Sequence, residues 1–260
     1  MNTRHNPSSG ASRHSELEHL TAPTPKRRLA LWPFLAVGVL AAGLTTLAIK
    51  TTPHTPVTLI VGIDASDSVR VQGDNGSLLG ENRAAIADMA GQLVPDLDHL
   101  KLVRVDRQAR EFFDGEAPSG SETLLSLLIE NTNRPASQNG TLPAKFWTLA
   151  AQQAASKEFS PGAGVAIVFA GDADNDDLTP QSSQQIACAA RQLAANPRVV
   201  SVEFLGFNPK NAEELRTLFA PLGARLRLQS ADAPNTRSVI DRLNAVRDAP
   251  PSPTTTSQGQ

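Results

Sequence analysis

Two stretches of the chain are apolar almost without interruption and then stop at acidic or polar residues. Thr58–Ile63 (TLIVGI) runs into Asp64, and Gly164–Phe169 (GVAIVF) runs on to Gly171 and Asp172. Unbroken runs rich in β-branched residues suit strands buried on both faces of a parallel sheet. Between and after them the period changes to that of helices. Asn82–Val94 places Ile86, Met89 and Leu93 on one face, and helices are also predicted over Thr123–Ile129, Pro143–Ser156, Gln181–Ala195, Asn211–Leu222 and Asn235–Arg247. Leu100–Val105 and Arg110–Phe113 read as a hairpin whose second strand is a short edge strand, and Arg198–Leu205 and Arg225–Leu228 complete the strands. Strands alternating with helices in this rhythm predict an α/β fold, a doubly wound, mostly parallel sheet with helices on both faces.

The pattern ahead of this domain is different. Residues 1–28 are polar, lack apolar periodicity and end in Lys26-Arg27-Arg28, so they read as a disordered tail. Residues 29–49, Leu29 to Ile49, contain no charge and match the roughly 20 apolar residues that cross a bilayer as a helix. Basic residues crowd the amino-terminal flank while only Lys50 follows directly, which puts the tail in the cytoplasm and the rest beyond the membrane. The expected location is therefore the inner membrane, with a single pass and a periplasmic or extracellular domain. A cleaved signal peptide is the competing reading, but the hydrophobic region is long for one and no clean small-x-small site precedes Lys50. Residues 50–56 form a Pro-punctuated linker, residues 57–247 the folded domain, and residues 248–260 a Pro/Ser/Thr tail without periodicity.

Candidate chemistry gathers where the apolar runs end. Asp64, Ser66 and Ser68 stand at alternate positions after the first strand, the end of the strands at which open α/β sheets bind ligands. Their hard oxygen donors suit Mg²⁺, which keeps several waters and seldom has a full protein cage. Alone, a D-x-S-x-S sequence is also ordinary loop and capping chemistry.

Three elements in order change that balance: Asp64-x-Ser66-x-Ser68 after a strand, Gly140-Thr141 before a helix, and Asp172 after a second buried strand. Together they resemble the von Willebrand factor type A (vWA) domain with its metal-ion-dependent adhesion site, over about residues 55–247. The resemblance implies one short antiparallel edge strand and a rim site for Mg²⁺ or Mn²⁺. It also implies that the hydroxyls of Ser66 and Ser68 ligate the metal, that Thr141 completes the set directly or through water, and that Asp64 and Asp172 hold coordinated waters. One position would remain for an acidic side chain of a protein partner. Neutral direct ligands leave the ion electrophilic enough for that role. Departures from the family pattern are Asn139 before Gly140, Ala173 after the second aspartate and the acidic Asp67 within the motif.

Composition removes other classes. A formal net charge of -2 and an aromatic fraction of 4% argue against nucleic acid as a partner. The single cysteine, Cys188, excludes an intrachain disulfide and a multi-cysteine zinc site, and it is expected to be a small core residue on its helix. His5, His14, His19, His54 and His99 show no ligand spacing. Asp172, Asp174 and Asp176 begin like an EF-hand loop, but Asp177 and Ser183 stand where glycine and glutamate are needed. Neither a G-x-S-x-G elbow nor a P-loop is present. Phe146 and Trp147 are expected in the core. The expectation is a binding domain and not an enzyme. The alternatives are the same domain as a metal-independent scaffold with a vestigial site, and a Mg²⁺-dependent phosphatase, which would want an aspartate where Ser66 stands.

Overall fold

Strand β1 (Val57–Asp64) is buried at all 8 of its positions in the computed structural model, which describes residues 55–73, 76–133, 141–173, 179–230 and 235–248. Its burial on both faces follows from its place. β4 (His99–Val105) pairs with it on one side and β6 (Gly164–Ala170) on the other, both in parallel register. The full order is β5-β4-β1-β6-β7-β8, where β5 is Ala109–Glu116, β7 is Val199–Leu205 and β8 is Leu226–Gln229. β5 runs antiparallel to β4 and the other pairings are parallel, as expected for this fold. A separate two-stranded hairpin, β2 (Gln72–Gly73) with β3 (Gly76–Ser77), occupies the glycine-rich connection after β1.

Six α-helices are described: α1 (Leu78–Ala90), α2 (Ser121–Thr132), α3 (Pro143–Ala155), α4 (Pro180–Ala195), α5 (Ala212–Leu218) and α6 (Arg237–Arg247). Strand alternation sorts the apolar side chains into two cores. Val57, Leu59, Val61 and Ile63 pack with Leu79, Ile86 and Met89 of α1, Leu128 of α2 and Leu243 of α6. Ile60 faces the opposite core, where Phe146 and Trp147 of α3 meet Ile167, Phe169, Phe204 and Phe219. Trp147 sits edge-on to Phe219 at 4.7 Å between ring centroids, and Phe146 is as deeply buried, so both are core residues as expected. Gly62 leaves room for this layer, because a Cβ there would stand 2.6 Å from the Phe146 ring.

Several expectations need correction. α1 begins at Leu78 and not at Asn82, because Ser77 caps it by accepting a hydrogen bond from Gly80 N. The edge strand β5 has 8 residues, as long as β1, and is held by a buried cation: Lys101 of β4 pairs with Asp114 and lies 3.7 Å from Glu111. The predicted helix Asn211–Leu222 stops at Leu218, and Pro221 and Gly223 turn the chain through a 3₁₀ segment. Cys188 is exposed and not in the core. The buried positions of α4 are Ile186, Ala189, Ala190 and Leu193, and a residue two after Ile186 falls on the other side of the helix.

The predicted cytoplasmic tail and membrane helix lie outside the described residues, as do Gly140, Asp174, Asp176 and Asp177. Among the described residues, no helix is long and apolar enough to cross a membrane.

Candidate metal centre

The chain leaves β1 for β4 on one side of it and leaves β6 for β7 on the other. The carboxyl ends of β1 and β6 therefore flank a topological switch point, where the outgoing connections part and leave a crevice. Asp64 is the last residue of β1, and Gly171 and Asp172 directly follow β6. Two distant parts of the sequence thus deliver their acidic residues to one crevice.

The local chain explains the arrangement. Ala65 N still donates to Val105 O at 2.8 Å, so the loop leaves β1 in strand register. Asp64 then turns it: Ser66 N donates to Asp64 Oδ1 at 2.8 Å. That turn brings Ser66 Oγ within 3.0 Å of Ser68 Oγ. From the segment ahead of α3, Thr141 Oγ1 donates to Asp64 Oδ1 at 3.0 Å. Ser66 is buried, Thr141 half-buried and Ser68 exposed, so the three hydroxyls lead from the interior to the surface.

Asp64 is wholly buried, and its second oxygen, Oδ2, has no hydrogen-bond partner among the described residues. Burial pushes its carboxyl up to about 6, the negative charge of Asp172 adds to that rise, and the hydrogen bonds from Ser66 and Thr141 oppose it. The residue at 171 is part of the same packing. A Cβ on Gly171 would stand 2.4 Å from Asp64 Cβ and 3.0 Å from Oδ2, so only glycine lets β6 pass this close.

All five residues singled out in the sequence therefore meet: Asp64, Ser66, Ser68 and Thr141 through hydrogen bonds, and Asp172 through its charge on Asp64. The donor set fits a hard divalent ion. A buried carboxylate carries an unsatisfied oxygen beside a second carboxylate and three neutral hydroxyls, and a cation relieves both the desolvation and the repulsion. Among the described residues, no group of three or more His, Cys, Asp or Glu side chains is placed to hold a metal ion. The sequence reading missed Gly171 and also Asn208, whose backbone N donates to Asp172 O at 2.7 Å and ties the second acidic loop to the residues after β7.

No protein-family model matches the chain. No curated protein matches its sequence either. Solved structures do match its fold. BatB of Bacteroides thetaiotaomicron superposes with a TM-score of 0.54 at 15% identity, over 74% of this chain and 100% of that one. An aerotolerance-related membrane protein of Bacteroides fragilis gives 0.51 at 15% identity, over 74% and 98%. The PilB minor pilin of Streptococcus sanguinis gives 0.50 at 12% identity over 76% of this chain, which spans 62% of the pilin's length. At these identities the shared property is the fold. With its six-stranded sheet and single antiparallel edge strand, that fold is vWA-like.

Proposed function

We propose that this chain is a membrane-anchored, extracytoplasmic vWA-like domain that binds a protein partner through a divalent metal, Mg²⁺ or Mn²⁺. The observation that carries the reading is the buried Asp64 carboxylate: one oxygen is fixed by Ser66 and Thr141, the other has no partner among the described residues, and Asp172 stands close enough to raise its pKa. The hydroxyls of Ser66, Ser68 and Thr141 would hold the ion, and Asp64 and Asp172 would hold its waters. When bound, the ion supplies an electrophilic position for a carboxylate oxygen from an Asp or Glu of the partner. The protein's own part is to orient three hydroxyls and to keep the Asp64 carboxylate apart from bulk water. The role proposed for the site is one of binding.

The location rests on the uncharged run at residues 29–49 with its basic amino-terminal flank, and it agrees with the fold's occurrence in a membrane protein of Bacteroides fragilis. Calorimetric titration of Mg²⁺ and Mn²⁺ into the full-length protein in mild detergent tests the metal. Saturable binding that is lost in Asp64→Ala and Thr141→Ala supports it. A folded wild type that takes up neither ion leaves the domain as a metal-independent scaffold.

A further inference from the structure

Three arginines outside the sequence-predicted site converge on the last turn of α2. Its final carbonyls have no partner inside the helix and form the negative end of its dipole. Arg104 of β4 donates through Nη1 to Asn131 O at 3.1 Å. Arg70, two residues after Ser68, donates through Nη2 to Thr132 O at 2.6 Å and through Nη1 to Asn133 O at 3.2 Å. Arg83 of α1 donates through Nε to the Thr132 hydroxyl at 2.8 Å, and that hydroxyl donates to Leu128 O at 2.6 Å.

Two of these side chains also grip the site. Arg70 Nε donates to the carbonyl of Ala65, between Asp64 and Ser66, at 3.3 Å. Arg104 Nε donates to the Asp106 carboxylate at 3.2 Å, and Asp106 O accepts from the backbone N of Leu142, next to Thr141, at 2.9 Å. The end of α2 is thus connected to the D-x-S-x-S loop by Arg70 and to the Thr141 segment through Arg104. The arrangement carries an electrostatic cost. Burial and then the charge of Arg104 lower the pKa of Arg70, and burial and then Arg70 lower that of Arg83. Capping accounts for the contacts to the α2 carbonyls, but not for the second contacts that Arg70 makes to Ala65 O and Arg104 to Asp106.

We propose that Arg70 and Arg104 are positioning residues of the metal centre, whose guanidinium forks fix the Asp64–Ser68 loop and the Thr141 segment to the end of α2 so that their hydroxyls are gathered before an ion arrives. The inference rests on the metal reading above. Lysine keeps the charge but cannot make the same planar, multiple contacts. The experiment is Mn²⁺ titration by calorimetry on the full-length wild type, R70K, R104K and R83K, with thermal unfolding in chelator run alongside. R70K and R104K are expected to weaken Mn²⁺ binding about tenfold, the scale on which supporting residues act at metal sites. R83K loses a contact to Thr132 alone and is expected to lower the unfolding temperature while leaving the affinity within about twofold. If R70K does not fold, R104K carries the same test.

Unchanged affinity in R70K and R104K overturns the positioning role while leaving the metal reading intact. An equal loss in R83K also overturns it, since the effect would then be general loosening of α2. Tighter binding in Arg70→Met together with unchanged binding in R70K overturns it too, since the charge and not the fork would then act on the ion. A folded wild type that binds no Mn²⁺ overturns the metal reading itself, and this proposal falls with it.

Discussion

The Thr141 hydroxyl donates to Asp64 Oδ1 at 3.0 Å across 77 residues of sequence, and Ser66 N donates to the same oxygen at 2.8 Å. Asp64 therefore divides its carboxylate. Oδ1 organises the protein around it, and Oδ2 has no hydrogen-bond partner among the described residues. A residue that held the fold alone would satisfy both oxygens, because an orphaned buried acceptor costs about 1–3 kcal/mol.

Thr141→Ala removes a donor to Asp64 and a proposed metal ligand in one step. The stability cost is expected to be about 1 kcal/mol in chelator, the usual net worth of one hydrogen bond. Affinity for Mn²⁺ should fall by about tenfold or more, and Thr141→Ser, which keeps the hydroxyl, should restore most of it. Denaturant unfolding in chelator and Mn²⁺ titration of the same samples separate the two effects.

Asp64 also predicts a pH dependence with a definite sign. Its carboxyl titrates at 3.8 in the unfolded chain and at about 6 in the fold, chiefly through burial. Between those values the folded state binds a proton that the unfolded state does not, so stability falls as pH rises through the window and the loss is complete above about 6. The difference corresponds to on the order of 3 kcal/mol. In chelator, the stability of wild type relative to Asp64→Asn should rise as the pH is lowered from 7 to 4, because the amide cannot titrate. Saturating Mn²⁺ should abolish that rise, since a cation beside Asp64 favours its ionised form. A difference curve that stays flat in chelator would show that Asp64 is not destabilised by ionisation.

Gly171→Ala tests the close passage of β6 behind the site. The added methyl meets Asp64 Cβ at 2.4 Å, an atom too close to the backbone to swing aside. The expected cost is about 1–3 kcal/mol, together with weakened Mn²⁺ binding as Asp64 is displaced. Gly62→Ala is the control. It meets the Phe146 ring at 2.6 Å on the opposite core and should lose comparable stability with the affinity unchanged. Equal affinity losses in both variants would mean that the site responds to any strain in β1.

What could be read from the sequence follows from where each signal is encoded. β1 and β6 are central strands buried on both faces, so burial alone makes their residues an unbroken apolar run. The acidic and hydroxyl residues were legible because they interrupt those runs at the strand ends. β5 was read too short because it is an edge strand whose charged Arg110, Glu111 and Asp114 mask its extent. Its length depends on Lys101, a buried cation that no periodicity announces. The arginines around α2 had no local signature either. Arg70 acts on Thr132 across 62 residues, and the reach of a guanidinium leaves no pattern in sequence.

The end of β1 remote from the site supplies a last prediction. Asp98, wholly buried, accepts hydrogen bonds from Val57 N at 3.2 Å and Val94 N at 2.7 Å, and it pairs with Arg247 at the end of α6. One carboxylate thereby joins the start of the first strand to the last helix. Removing it as Asp98→Ala leaves two amides and a guanidinium without their acceptor, and breaking a buried pair from one side typically costs about 3–5 kcal/mol. Asp98→Asn keeps one acceptor oxygen and should lose less. Because Val57 and Asp64 are at opposite ends of β1, roughly 23 Å apart for a strand of this length, either variant that remains folded should bind Mn²⁺ as the wild type does. Chemical denaturation followed by calorimetry on the same preparations makes the comparison. A folded Asp98→Asn that binds Mn²⁺ more weakly would mean that strain at this end is transmitted along the central strand to the site.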